Sequence, residues 1–309
     1  MSVRDAAFSG FVAVALAAWA LVSSGVPAAA HEPAAKEAST QRASVPPPAA
    51  VIEVDGLRLE GTFAQGGLIL GTAPPGSRVA VEGKAVRVSP DGRFVFGFGR
   101  DHVSDISLSV TFPDGQRLES TFAIAQRTYD VQRIDGLPPR QVTPPREVLD
   151  RIRADNIEIA KARANDTPRT WFAGGFVWPA VGPISGVYGS RRILNGKPRR
   201  PHYGVDVAMP TGTPVTAPAP GRVVLAEDDM YFTGGTVILD HGHGVTSVFS
   251  HMSKVHVRVG DLLGQGDLLG EIGATGRVTG AHLDWRINWF KVRIDPALVA
   301  GPMPDAATE

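Results

Sequence analysis

Residues 282–290 read His-Leu-Asp-Trp-Arg-Ile-Asn-Trp-Phe, a run in which apolar and polar residues alternate. Period two over this length predicts a half-buried strand. On such a strand His282 and Asp284 point to one side while Leu283 packs on the other, and Arg286, two residues on, shares the face of Asp284. Working outward, runs of the same kind occur at Gly221 to Ala226, Thr236 to Asp240, Val245 to Phe249, Val255 to Val259 and Leu269 to Ile272. Gly and Pro separate them, so the segment 171–305 reads as an antiparallel β domain.

An earlier set of alternating runs lies within 51–125: Leu57 and Leu59, Val79 and Val81, Val86 and Val88, Phe94, Phe96 and Phe98, then Ile106, Leu108, Val110 and Phe112. Glu82-Gly83, Asp91-Gly92 and Asp114-Gly115 fall between them, pairs suited to the positive φ angles of hairpin turns. This predicts a small N-terminal β-sandwich with no catalytic constellation inside it. Between the two domains, 126–170 reads as a linker with a helix at 143–166, capped by Thr143, with Pro144 in its first turn and Thr167-Pro168 at its end. Trp171, Phe172, Phe176 and Trp178 follow as expected packing residues. The expected fold class is therefore all-β, two domains joined by a connector helix.

Residues 1–30 carry Arg4, an apolar stretch and the small residues of Val26-Pro27-Ala28-Ala29-Ala30. They read as a secretory signal cut after Ala30, the alternative being an uncleaved anchor. Either delivers the chain outside the cytoplasm. Residues 31–50, rich in Ala and Pro, read as a flexible linker. Lys plus Arg (31) balances Asp plus Glu (31), so no basic field points to nucleic acid. The cysteine count is 0, which excludes disulfides, thiolate nucleophiles and cysteine-rich zinc knuckles, and leaves metal binding to His, Asp and Glu. No Walker loop, GxSxG elbow or dinucleotide fingerprint is present.

Six of the 8 histidines (202, 241, 243, 251, 256 and 282) lie in the second domain. In His202-Tyr203-Gly204-Val205-Asp206, an even spacing on an extended segment puts His202 and Asp206 on one face, and both are good zinc ligands. His251 follows a β-run. His241 and His243, in the Gly-rich turn Asp240-His241-Gly242-His243-Gly244, are expected to be solvated, and His256 to face solvent. Arg191, Arg192, Arg199 and Arg200 form a local basic patch.

His-Tyr-Gly-Val-Asp at 202–206, Met209 to Val215, Ser250-His251-Met252-Ser253, Val257 to Asp261, and Thr275-Gly276 leading to Ala281-His282-Leu283 together resemble the LytM or lysostaphin-type zinc metallopeptidases, over about Pro183 to Pro296. Those enzymes hydrolyse peptide bonds in peptidoglycan stems or cross-bridges. The resemblance implies a periplasmic or cell-envelope location, a Zn²⁺ ion held by His202 and Asp206, and His251 and His282 as the catalytic pair that assists a metal-activated water. The departure is at 284, where the family's His-x-His motif has its third ligand and this chain has Asp284.

Asp284 leaves two readings open. As a carboxylate ligand it completes a His-Asp-Asp shell whose net charge with Zn²⁺ is zero instead of plus one, a weaker Lewis acid. Alternatively it pairs with Arg286 and no metal binds. The first reading makes the protein a zinc-dependent peptidoglycan endopeptidase; the second makes it a degenerate relative that activates cell-wall amidases or binds peptidoglycan.

Overall fold

The computed structural model describes residues 38–41, 43–103, 105–134, 146–194 and 196–305. The signal segment and the expected Thr143 cap lie outside them. Among the described residues no helix is long and apolar enough to cross a membrane.

Two four-stranded antiparallel sheets form the sandwich. One orders Ala50–Val54, Leu57–Gly61, Leu68–Thr72 and Arg93–Gly97; the other Lys84–Val86, Arg78–Val81, Asp105–Thr111 and Arg117–Ala123. Alternation sets the faces, since Asp105–Thr111 buries Ile106, Leu108 and Val110 and exposes or half-exposes the residues between. These side chains meet Leu57, Leu59, Ile69, Phe94, Phe96 and Phe98 in one core. Glu82 and Gly83 turn with φ of 51° and 70°, the geometry of a two-residue hairpin. Asp91-Gly92 is different: it joins strands of opposite sheets, so the pair marks a crossover and not a hairpin.

Arg93–Gly97 is covered on both sides. Phe94 and Phe96 face the sandwich core, whereas Val95, with Leu68, packs into the core of the second domain. A buried ion pair reinforces that contact, with Arg127 Nη1 2.9 Å from Asp295 Oδ2 and side chains 8% and 4% exposed. Arg127 also donates to the Gln65 carbonyl at 2.9 Å.

A third sheet joins Ala38–Gln41, Val131–Ile134, Arg191–Leu194 and Lys197–Pro198, with its middle two strands parallel. Residues 38–41 are thus a strand, where the sequence reads as flexible linker. Ala-Ser-Thr-Gln carries no apolar alternation, and main-chain pairing to Val131–Ile134 orders it.

The connector helix spans Leu149–Arg163 behind a 3₁₀ turn at Arg146–Val148, shorter at both ends than expected. Asn165 Nδ2 donates to the Ala162 carbonyl at 2.7 Å and closes the helix before Thr167-Pro168. Ala162 and Ile159 pack on Leu225, Met230, Ile238 and Val248.

The second domain is a ten-stranded antiparallel sheet whose main path runs Ile184–Gly186, Val205–Val207, Leu283–Trp289, Val245–Val255, Gly234–Gly242, Gly221–Met230 and Leu262–Leu263. Val205, Val207, Leu283, Trp285, Ile287 and Phe249 point into a core shared with Phe172, Phe176 and Trp178. By alternation Asp206, Asp284, Arg286 and Asn288 occupy the opposite face, which the connector helix covers only in part.

Candidate metal centre

Asp206 and Asp284 are cross-strand partners between Val205–Val207 and Leu283–Trp289, which brings two carboxylates to adjacent positions on one face. His202 is held just before the first strand: its N–H donates to the Ser190 carbonyl and its own carbonyl accepts from Gly189 N–H, each at 2.8 Å. The result places His202 Nε2 3.1 Å from Asp206 Oδ1.

Both atoms are buried and neither has a hydrogen-bond partner. A nitrogen and a carboxylate oxygen facing one another without a hydrogen bond is an arrangement that a cation between them would satisfy. Tetrahedral zinc, with ligand bonds of about 2.0–2.2 Å, separates its ligands by roughly 3.3–3.6 Å, a few tenths of an ångström more than the spacing found. An Asp284 oxygen completes a group of three donor atoms lying within 4.8 Å of one another. Glycines clear the space: a Cβ on Gly186 would overlap Asp206 Oδ2, and one on Gly204 would lie 2.6 Å from both Asp284 Oδ1 and Arg286 Cγ. The donor set and its spacing fit a zinc ion.

Asp284 is 3% exposed and also carries the Arg286 guanidinium. Arg286 Nε donates to Oδ1 at 2.9 Å and to Oδ2 at 3.1 Å, and Nη2 donates to Oδ2. Burial alone would push the Asp284 carboxyl up, but Arg286, helped by His202 and His251, holds it well below the usual carboxylate range. Asp284 is clamped by Arg286 and also stands within reach of His202 and Asp206. Each carboxylate oxygen has two lone pairs, so the clamp leaves acceptor capacity for a metal.

His251 reaches the same place through an irregularity. Its strand runs on to Val255, past the expected end at Phe249, and contains an extra residue: Val237 pairs with Phe249 but Gly235 with Met252. Phe249 and Met252 both face the core, so this bulge leaves Ser250 and His251 together on the site face. His251 has a φ of 70°, a left-handed conformation unusual for a non-glycine residue, and its N–H donates to the Thr233 carbonyl at 2.7 Å.

The rings of His251 and His282 are 4.8 Å apart, and His282 Nε2 is 3.9 Å from Asp206 Oδ1. Nδ1 of His251 lies 2.9 Å from the Thr275 carbonyl, and Nδ1 of His282 lies 2.9 Å from the Gly280 carbonyl. A carbonyl can only accept, so Nδ1 is the protonated nitrogen and Nε2 of each neutral ring keeps its lone pair. Burial pushes the His251 imidazole down, against the Asp284 carboxylate and the Thr275 carbonyl, which favour its charged form.

All five residues singled out by sequence therefore converge. Two others do not behave as expected. His241 and His243 are 0% and 2% exposed, not solvated. His241 bridges the Pro220 carbonyl at 2.7 Å and Ser247 Oγ at 2.9 Å, and His243 packs on the Phe172 ring. The turn that holds them is covered by 167–176, which follow the connector helix; His243 N–H bonds the Thr167 carbonyl at 2.9 Å. Arg163 and Arg293, which approach this face from the helix and from the last hairpin, carry no local sequence signal.

A family model described as Peptidase family M23 matches residues 200–296. The peptidoglycan DD-endopeptidase ShyA of Vibrio cholerae is 40% identical over 87 residues, 28% of this chain and 20% of its own length. The cell division protein DipM of Caulobacter vibrioides is 30% identical over 132 residues, 41% of this chain and 21% of its own length. The chain thus spans about a fifth of these curated relatives. A solved Pseudomonas aeruginosa structure described as a peptidase M23 superposes with a TM-score of 0.59 at 31% identity, covering 78% of this chain and 96% of that one. With that likeness extending over most of both chains, and with the motifs at 202–206, 250–253 and 281–284 gathered on one sheet face, the chain belongs to peptidase family M23, the LytM type of peptidase.

Proposed function

We propose that the protein is a zinc-dependent endopeptidase of the bacterial cell envelope that hydrolyses peptide bonds in peptidoglycan stems or cross-links, exported through its N-terminal segment. The observation that carries this reading is the pair of buried, unpartnered atoms His202 Nε2 and Asp206 Oδ1, 3.1 Å apart, with Asp284 beside them. His202, Asp206 and Asp284 would hold the ion. A zinc ion bound there supplies a Lewis acid that polarises the scissile carbonyl and makes water nucleophilic near neutral pH.

The remaining work falls to this chain's own groups. His251 and His282 present Nε2 lone pairs into the site, fixed by the Thr275 and Gly280 carbonyls, so either ring can take a proton from the attacking water or return it to the leaving amine. Depression of the His251 pKa by burial keeps that ring neutral at pH 7 and available as an acceptor. ShyA, a peptidoglycan DD-endopeptidase by name, supports the substrate class.

A second reading is favoured by one observation, the grip of Arg286 on both oxygens of Asp284. If that grip keeps the metal out, the protein binds peptidoglycan or activates a cell-wall amidase without cleaving anything itself. Digestion of purified sacculi, with released muropeptides identified by mass and zinc measured in the same preparation, separates the two. New peptide-bond products with stoichiometric zinc support the endopeptidase. A protein that stays metal-free in excess zinc, releases nothing alone and stimulates an added amidase overturns it.

A further inference from the structure

Beyond Asp284 and Arg286 the same sheet face continues into a group of arginines that the proposed chemistry does not use. Asn288, two residues past Arg286, is paired across the last hairpin with Arg293, whose Nη1 donates to Asn288 Oδ1 at 2.6 Å. The Arg293 guanidinium lies 5.8 Å from the centre of the Tyr203 ring, next to the ligand His202. At the turn of that hairpin the Phe290 carbonyl accepts from Arg163 Nη2 at 3.0 Å, so the last turn of the connector helix brings a further guanidinium to the hairpin. Arg163 Nε is buried with no partner.

Among the described residues neither Arg163 nor Arg293 makes an ion pair with a carboxylate. Arg286 is occupied by Asp284, and Arg200 is exposed nearby. Half-buried guanidinium groups that lack a counter-charge carry a cost in free energy that a bound anion would reduce. The cost shows in their acidities. Burial first, then repulsion from Arg286 and Arg200, lowers Arg163 to about 10; burial, then repulsion from Arg163, Arg286 and Arg200, lowers Arg293 to about 9.

We propose that Arg163 and Arg293 form a carboxylate subsite beside the metal group that receives a free carboxylate of the substrate peptide. The proposal rests on the peptidase reading for the identity of the substrate, but the subsite itself needs no metal. Bidentate guanidinium donation suits a planar carboxylate, and the two arginines arrive from separate elements, so a bound anion would tie the helix Leu149–Arg163 to the hairpin after Leu283–Trp289. The subsite would favour substrates that carry a free acid a short distance from the bond cut.

The test measures binding without turnover. Metal-free protein is titrated by calorimetry with N-acetyl-D-alanyl-D-alanine and with its C-terminal amide. Wild type is expected to bind the acid about tenfold or more tightly than the amide. Arg163→Gln and Arg293→Gln should each reduce that preference to about threefold or less, and Arg293→Lys should retain part of it. Equal binding of acid and amide by wild type, a comparison that requires no variant to fold, overturns the proposal; so does a preference that survives both glutamine substitutions. Sacculus digestion by zinc-loaded protein is scored apart from this. A carboxylate preference without hydrolysis would leave the subsite standing and remove the peptidase reading, whereas hydrolysis without the preference would do the reverse.

Discussion

Asp284 and Arg286 stand two residues apart on one strand face and form a bidentate ion pair, with Asp284 buried and Arg286 half-buried, at the edge of the candidate zinc group. As a unit the pair is neutral, as a histidine is. Replacing a ligand histidine by aspartate lowers the charge of the site by one, and Arg286 restores it, so the lowered Lewis acidity expected of a His-Asp-Asp shell is offset within the protein.

Arg286→Gln should therefore make the site more anionic. Zinc is expected to bind on the order of tenfold more tightly, because a cation next to the ion is gone, while hydrolysis at pH 7 slows. Competition against a chromogenic chelator reads the first effect. Weaker zinc in this variant would show that Arg286 acts by positioning Asp284 and not by charge. Asp284→Ala should weaken zinc about tenfold or more, since two protein ligands remain.

Removing an imidazole that moves protons differs from removing one that holds the ion. His251→Ala or His282→Ala should lower hydrolysis by about 10²–10⁴-fold with zinc still bound, and His202→Ala should remove both. Metal analysis after gel filtration, beside muropeptide release, distinguishes them. Zinc loss in His282→Ala equal to that in His202→Ala would make His282 a ligand.

His241 couples folding to pH. Complete burial lowers its pKa to about 4, from an ordinary 6.5, so the native state resists the proton that the unfolded chain takes up. Between these values the unfolded state binds more protons, and stability rises with pH. The contribution is fully present above about 6.5 and is lost progressively as pH falls toward 4, on the order of 3 kcal/mol in all. Urea unfolding from pH 7.5 to 4.5 measures it; a His241→Asn variant should be less stable at pH 7 but show a shallower slope. An unchanged slope would assign the pH dependence to other groups.

The Arg127–Asp295 pair joins the chain just after the sandwich to the end of the second domain, and Asp295 also accepts from Ala297 N–H at the start of a short helix. Arg127→Met should destabilise by about 3–5 kcal/mol, because it leaves a buried carboxylate uncompensated. Adding Asp295→Asn should recover part of that loss. A loss below about 1 kcal/mol in chemical denaturation would mean that the two domains are held by Val95, Leu68 and their neighbours alone.

The sequence by itself determined most of the strands and the all-β class, because alternation is a local property: Ile106, Leu108 and Val110 reach one core whatever lies beside them. It also marked His202, Asp206, His251, His282 and Asp284, whose spacing within short motifs is legible without a fold. Elements stabilised from outside left no such trace. Ala38–Gln41 is a strand because Val131–Ile134 pairs with it, and the burial of His241 and His243 depends on residues 167–176 closing over their turn. His251 reaches the site only through a bulge between paired strands, a feature of register and not of residue type. That Asp284 pairs with Arg286 while standing within reach of His202 and Asp206 was likewise a tertiary matter. Their shared face follows from period two, but the approach of His202, the space left by Gly186 and Gly204, and the guanidinium groups of Arg163 and Arg293 come from separate parts of the chain, and only folding fixes the distances on which electrostatics depend.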